Sequence, residues 1–140
     1  MASRTESFRQ HHAEVRDLAG RIDAQLDLVR ITADAGPTAT LLRALFGKFG
    51  VHLAIEDSTL YPRMIDHADP RLRQTAARFQ REMGGLKEQF DGFRSRWPGP
   101  TAISHDPKAF IDEARAILTV LRRRISREDA ELYDLYDGAA

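Results

Sequence analysis

No cysteine occurs anywhere in the 140 residues. Disulfides, zinc-thiolate clusters, iron-sulfur sites and thiol catalysis are therefore excluded, and a reducing compartment, the cytoplasm, is the expected location. Long hydrophobic runs are missing too: nothing approaches the ~18 apolar residues of a membrane span, and the opening MASRTESFRQ lacks the basic-then-apolar pattern of a secretory signal. A soluble chain is expected. An excess of either charge is also absent, because 21 basic and 21 acidic side chains cancel. No global field remains to hold nucleic acid or an anionic membrane. The chain shows no Ser/His/Asp arrangement, no phosphate-cradling glycine loop and no zinc-protease motif. These gaps favour a non-enzymatic protein, with a metal-dependent oxidase or peroxidase as the enzymatic alternative.

What is present is helical periodicity. One domain of residues 1–140 is expected, and a domain of that size buries roughly 68% of the surface its unfolded chain exposes, so it needs no staple. Breaker residues at Ala35-Gly36-Pro37, His67 to Pro70 and Pro98-Gly99-Pro100 divide it into helices of about 7–33, 38–66, 70–97 and 107–137. Asp106-Pro107 restarts the chain as a cap with proline in the first turn, after the only long loop. Apolar residues recur at alternating steps of three and four, which gives each helix one inward seam. The first seam reads Phe8, His12, Val15, Ala19, Ile22, Leu26, Val29 and the second Leu42, Leu45, Phe49, His52, Glu56, Leu60. The third reads Leu72, Ala76, Phe79, Met83, Leu86, Phe90, Phe93, Trp97. The fourth reads Phe110, Ala114, Ile117, Leu121, Arg124, Glu128, Leu132, Leu135. Four seams joined by short connections predict an all-α, up-down-up-down antiparallel four-helix bundle.

Five polar residues interrupt those seams: His12, His52, Glu56, Arg124 and Glu128. At about 1.5 Å of rise per residue, the His52–Glu56, Phe79–Met83 and Arg124–Glu128 levels come into register, with His12 offset by about 9 Å before any unwinding. A buried carboxylate must be paired, metal-bound or protonated. Two in one layer, Glu56 and Glu128, call for a cation, either a metal held by imidazole and carboxylate or the guanidinium of Arg124. His12 taken alone reads as a hydrogen-bonded core histidine before it reads as a ligand, and the pairing of His52 with Glu56 is what strengthens the metal reading. His11 reads as its solvated neighbour, and His67 and His105 as turn residues. Asp57 and Asp129 are expected to be outer acceptors or surface charges, and Tyr61 and Tyr133 to flank the bundle. Gly84 and Gly85 cost about 1 kcal/mol each against alanine in mid-helix, which predicts a kink or a close approach beside Met83. That glycine pair, the Trp97 to Pro107 loop and the Tyr133 to Tyr136 tail are the candidate exposed partner surfaces.

A near copy of HLAIEDSTLY, His52 to Tyr61, returns seventy-two residues later as RISREDAELY, Arg124 to Tyr133. The first copy with its following Pro62, together with His12 and the apolar residues Val15, Leu18 and Ile22, resembles the hemerythrin family in its bacterial HHE form. The resemblance implies a bundle core holding two non-haem irons, one bound by histidines from helices one and two, the other by histidines from helices three and four, with two bridging carboxylates. Carried over, it implies His12 and His52 as the first iron's ligands and Glu56 and Glu128 as the bridges. The second iron's ligand positions are lost: helix three offers Phe79 and Met83, and helix four offers Arg124, a charge substitute for that metal. Two outcomes stay open, one non-haem iron or other divalent metal on the surviving ligands, or no metal at all. The functional expectation is a non-enzymatic protein with a reduced or lost di-iron site, binding a metal or sensing oxygen, nitric oxide or iron. Its alternative is a metal-free regulatory or protein-interaction module. A small diatomic ligand or a protein is the expected partner.

Overall fold

The fold, taken from a computed structural model that describes residues 5–139, is built from helices, and no strand occurs among the described residues. The termini of the expected domain, residues 1–4 and 140, lie outside that range. Helix α1 (Glu6–Gln25) stops where Leu26 leaves helical dihedrals, and Asp27 restarts the chain by accepting the Arg30 N–H at 3.0 Å, capping α2 (Leu28–Ala33). That restart rotates the face. Val29, expected on the seam, is 78% exposed, and Ile31 is buried instead.

Helix α3 (Gly36–Ile55) begins with Pro37 in its first turn, where a missing N–H costs nothing. It runs into a π-helical turn, Glu56–Leu60, and then α4 (Tyr61–Ile65). Asp69 caps α5 (Pro70–Met83) by accepting from the Arg71 and Leu72 amides. The predicted interruption falls at Gly84-Gly85, ahead of α6 (Leu86–Arg96). A Cβ at Gly84 would sit 2.4 Å from the Gln80 carbonyl oxygen, so the glycine is required by close approach. The expected long loop instead contains a short helix, α7 (Pro100–His105), which buries Ile103 beside Trp97 and leaves Thr101, Ser104 and His105 exposed. Asp106 caps α8 (Pro107–Arg127), which enters a second π-helical turn, Glu128–Leu132, and ends in α9 (Tyr133–Gly138). The supposedly exposed tail is largely interior: Tyr133 and Tyr136 are buried, while Leu135, expected on the seam, is only half-buried. The extra residue of the π turn moves the inward face by one position.

Helix α1 packs on α3 and α8, and α6 packs on the same two, so these four enclose one apolar core that includes Val15, Phe49, Phe90 and Leu121. A second core, around Met64, Leu72, Phe79 and Leu132, lies where α5 meets α4 and α9. Each large apolar side chain so buried contributes roughly 1.5–3 kcal/mol. Between the two cores lies a polar layer. Among the described residues no helix is long and apolar enough to cross a membrane.

Candidate metal centre

The polar layer takes His12 from α1, His52 from α3, Arg124 from α8, and Glu56 and Glu128 from the opening positions of the two π turns. All five side chains are 0–1% exposed. His12, His52, Glu56 and Glu128 each offer a ligand atom, and those atoms lie within 4.8 Å of one another. His12 Nε2 stands 2.9 Å from His52 Nε2, 3.5 Å from Glu56 Oε1 and 3.4 Å from Glu128 Oε1, and His52 Nε2 touches Glu56 Oε1 directly.

The two oxygens of each glutamate are used differently. Arg124 Nη2 donates to Glu56 Oε2 at 3.1 Å and Arg124 Nε to Glu128 Oε2 at 3.3 Å, so the guanidinium holds the outer oxygens and leaves both Oε1 atoms to the histidine side. Glu128 Oε1 has no hydrogen-bond partner and, among the described residues, shares that condition with Thr38 Oγ1 alone. An orphaned buried carboxylate oxygen is expensive. At 3.4 Å from His12 Nε2 and within a group of ligand atoms no more than 4.8 Å apart, it fits a metal-ligand position. Two imidazoles and two carboxylates suit iron(II), zinc or manganese.

Arg124 is itself fully engaged. Nη2 also donates to Asp57 Oδ1 at 2.9 Å, Nη1 donates to the Met83 carbonyl at 3.3 Å, and the guanidinium lies 5.4 Å from the Tyr61 ring centre. The Met83 carbonyl ends α5, where the Gly84-Gly85 interruption frees it from helical bonding. Phe79 and Met83 are buried in the second core, Phe79 under the Arg127 guanidinium at 4.6 Å.

Charge in the layer follows from these contacts. Burial works against the His12 imidazolium, but contacts with Asp129, Glu128 and Glu56 outweigh it and push His12 up to about 10. Burial and then the charge of Glu56 raise Glu128 to about 8. Glu56 resists the same burial through Glu128, His12 and His52 and is held well below the usual carboxylate range. The two acids thus titrate as a pair, Glu56 ionised and Glu128 the holder of the shared proton. Burial opposes the charge on Arg124 as well, yet Glu128 and Glu56 keep the guanidinium charged.

The sequence underrated the two tyrosines, whereas Asp57 and Asp129 take the outer-acceptor role it allowed them. Tyr61 donates to Glu128 Oε2 at 2.7 Å and Tyr133 to Glu56 Oε1 at 2.9 Å, so each tyrosine serves the glutamate of the opposite copy. Burial, then Glu128, raises both phenols, which stay protonated as donors. Asp129 accepts His12 Nδ1–H at 2.9 Å and binds Arg16 at 2.7 Å, as Asp57 binds Arg124. An α-helical seam excludes the fifth residue after a glutamate. The π turns restore it, since Tyr61 N–H bonds the Glu56 carbonyl and Tyr133 N–H the Glu128 carbonyl. The signal available was the tyrosine recurring at that spacing in both copies. His11 is exposed but not merely solvated, because its Nδ1 lies 3.4 Å from His52 Nδ1. Burial and then His52 hold it below the usual imidazole range. His67 and His105 are not among the residues of the layer.

A family model described as hemerythrin HHE cation binding domain matches residues 3–136. No curated protein and no solved structure matches the chain.

Proposed function

The chain belongs to the hemerythrin family, HHE cation-binding type, and from that premise we propose that its polar layer is the surviving half of a two-metal centre. In this reading residues 1–140 form one domain, an up-down-up-down antiparallel four-helix bundle. His12, His52, Glu56 and Glu128 hold a single non-haem iron or other divalent metal. Arg124 supplies the charge of the second metal, and Phe79 and Met83 fill the space of its lost histidine. The observation that carries the reading is the convergence of four ligand atoms within 4.8 Å, one of them the unpartnered Glu128 Oε1.

A metal bound there supplies Lewis acidity and, if it is iron, one-electron redox chemistry. The chain's own part is to orient the donors. Asp129 fixes His12 with its proton on Nδ1, while Arg124, Tyr61 and Tyr133 hold the two carboxylates. Reversible dioxygen carriage draws two electrons, which two irons supply together, so a one-metal site suits a cytoplasmic, non-enzymatic protein that senses oxygen, nitric oxide or iron. A metal-free interaction module is the second reading. It is favoured by the cations already present, since protonated His12 and Arg124 both lie against the ionised Glu56 while Glu128 holds a proton.

Metal titration with elemental analysis tests both. One metal per chain is expected. Two per chain would refute the lost half-site, and none at saturating metal would leave the metal-free module. Absorbance of the reduced, iron-loaded protein before and after oxygen or nitric oxide reads out the sensing function.

A further inference from the structure

The two histidines of the layer turn the same nitrogen inward, Nε2, and each keeps Nδ1 for a partner outside. For His12 that partner is the Asp129 carboxylate, which accepts the Nδ1 proton, so Nε2 is the nitrogen that gives up its own proton when a metal binds. His52 has no carboxylate at Nδ1. Facing it at 3.4 Å is Nδ1 of His11, in a T-shaped ring contact with centroids 5.5 Å apart. Two like nitrogens share a hydrogen bond only when one carries the proton and the other does not. If His11 carries it, the His52 proton is driven to Nε2, where it meets Glu56 Oε1 and blocks ligation. If His11 accepts, the proton stays on His52 Nδ1 and the Nε2 lone pair is free. His11 can take that accepting form at little cost, because its side chain is exposed and water can satisfy Nε2–H.

We propose that His11 is a positioning residue for His52: its Nδ1 accepts the His52 Nδ1–H and so presents the Nε2 lone pair of His52 to the metal. The inference rests on the metal-binding reading above. It assigns to an exposed, helix-borne imidazole the role that Asp129 fills for the other histidine. Phe8, at 5.3 Å edge-on, and Phe49, stacked at 5.7 Å, hold the His52 ring in the plane that makes this contact.

The test compares zinc(II) affinity of the wild type with H11A and H11N. Alanine removes the acceptor while keeping the best helix former at an exposed position, so H11A folds. Asparagine places its amide oxygen near the site of Nδ1 and keeps an acceptor. The expected result is an affinity lower by about 10- to 100-fold in H11A, the usual cost of losing an outer-shell partner, with H11N close to wild type. A second reading comes from proton NMR of the zinc-loaded proteins. The His52 Nδ1–H is protected from exchange in wild type and H11N and exchanges freely in H11A, while the His12 Nδ1–H is unchanged throughout. Wild type that binds no zinc overturns the metal reading and this inference together. Wild type that binds zinc, with H11A equal to it, overturns the inference alone.

Discussion

The π turns Glu56–Leu60 and Glu128–Leu132 carry one sequence pattern, E-D-x-x-L, followed by tyrosine, and one geometry, with the glutamate buried and the tyrosine turned toward the opposite copy. They differ four residues upstream, where the first copy has His52 and the second Arg124. An imidazole can be neutral and donate a lone pair, whereas a guanidinium is always charged and only donates protons. The same backbone frame therefore presents one half of the layer as a ligand set and the other as a fixed cation. The two aspartates that follow the glutamates are used differently as well. Asp129 accepts from a histidine of α1, whereas Asp57 accepts from Arg124. Under the proposed reading, the lost ligand positions Phe79, Met83 and Arg124 thus fall together on one side of the layer.

Breaking the comparison at Arg124 has the largest expected effect. Arg124→Met strands two carboxylates without their shared cation. Removing one partner of a buried pair typically costs about 3–5 kcal/mol, to be read as a lower urea midpoint of the metal-free protein. The reverse change sharpens it: Arg124→His with Met83→His should raise bound iron from one per chain to two by elemental analysis. If neither the single changes nor the pair raises iron content, the assignment of lost ligand positions is wrong.

The tyrosines separate the halves more finely. Tyr133→Phe removes a donor to the ionised Glu56, for which hydrogen bonds to charged groups are worth about 1.5–3 kcal/mol. Tyr61→Phe removes one from Glu128, which carries the shared proton, and should cost less, about 1 kcal/mol. Equal losses in thermal unfolding would put the proton on neither acid in particular.

The last comparison is in pH. His12, pushed up to about 10, and Glu128, raised to about 8, both bind protons more tightly in the folded chain than in the unfolded one. Their contribution is complete below the unfolded values and is lost as pH climbs through the folded ones, so metal-free stability should decline from neutral pH toward about 10. Metal affinity should rise over the same span, because ligation displaces those protons. His12→Asn should flatten the first slope in denaturant titrations.

Periodicity and local charge made much of this legible. His12, His52, Glu56, Arg124 and Glu128 all stand out as polar members of apolar seams, and all five are buried in one layer. Gly84-Gly85 likewise announced its interruption. What escaped was set by departures from 3.6-residue spacing. Tyr61, Tyr133 and Tyr136 turn inward only because of π turns, whose i→i+5 bonds leave no compositional mark. Val29 turned outward because Asp27, an ordinary acidic residue by sequence, caps a new helix. The pairing of Arg124 with Glu56 was expected from the shared layer, whereas its bonds to the Met83 carbonyl and to Asp57 were not, because a backbone acceptor freed at a helix end has no side-chain signature.

Because each phenol reaches across to the acid of the other copy, neither half of the chain is chemically whole. A fragment ending at the Asp66 to Asp69 turn would keep an acid without its hydroxyl and a hydroxyl without its acid. A change at either tyrosine or either glutamate is therefore felt in both copies at once.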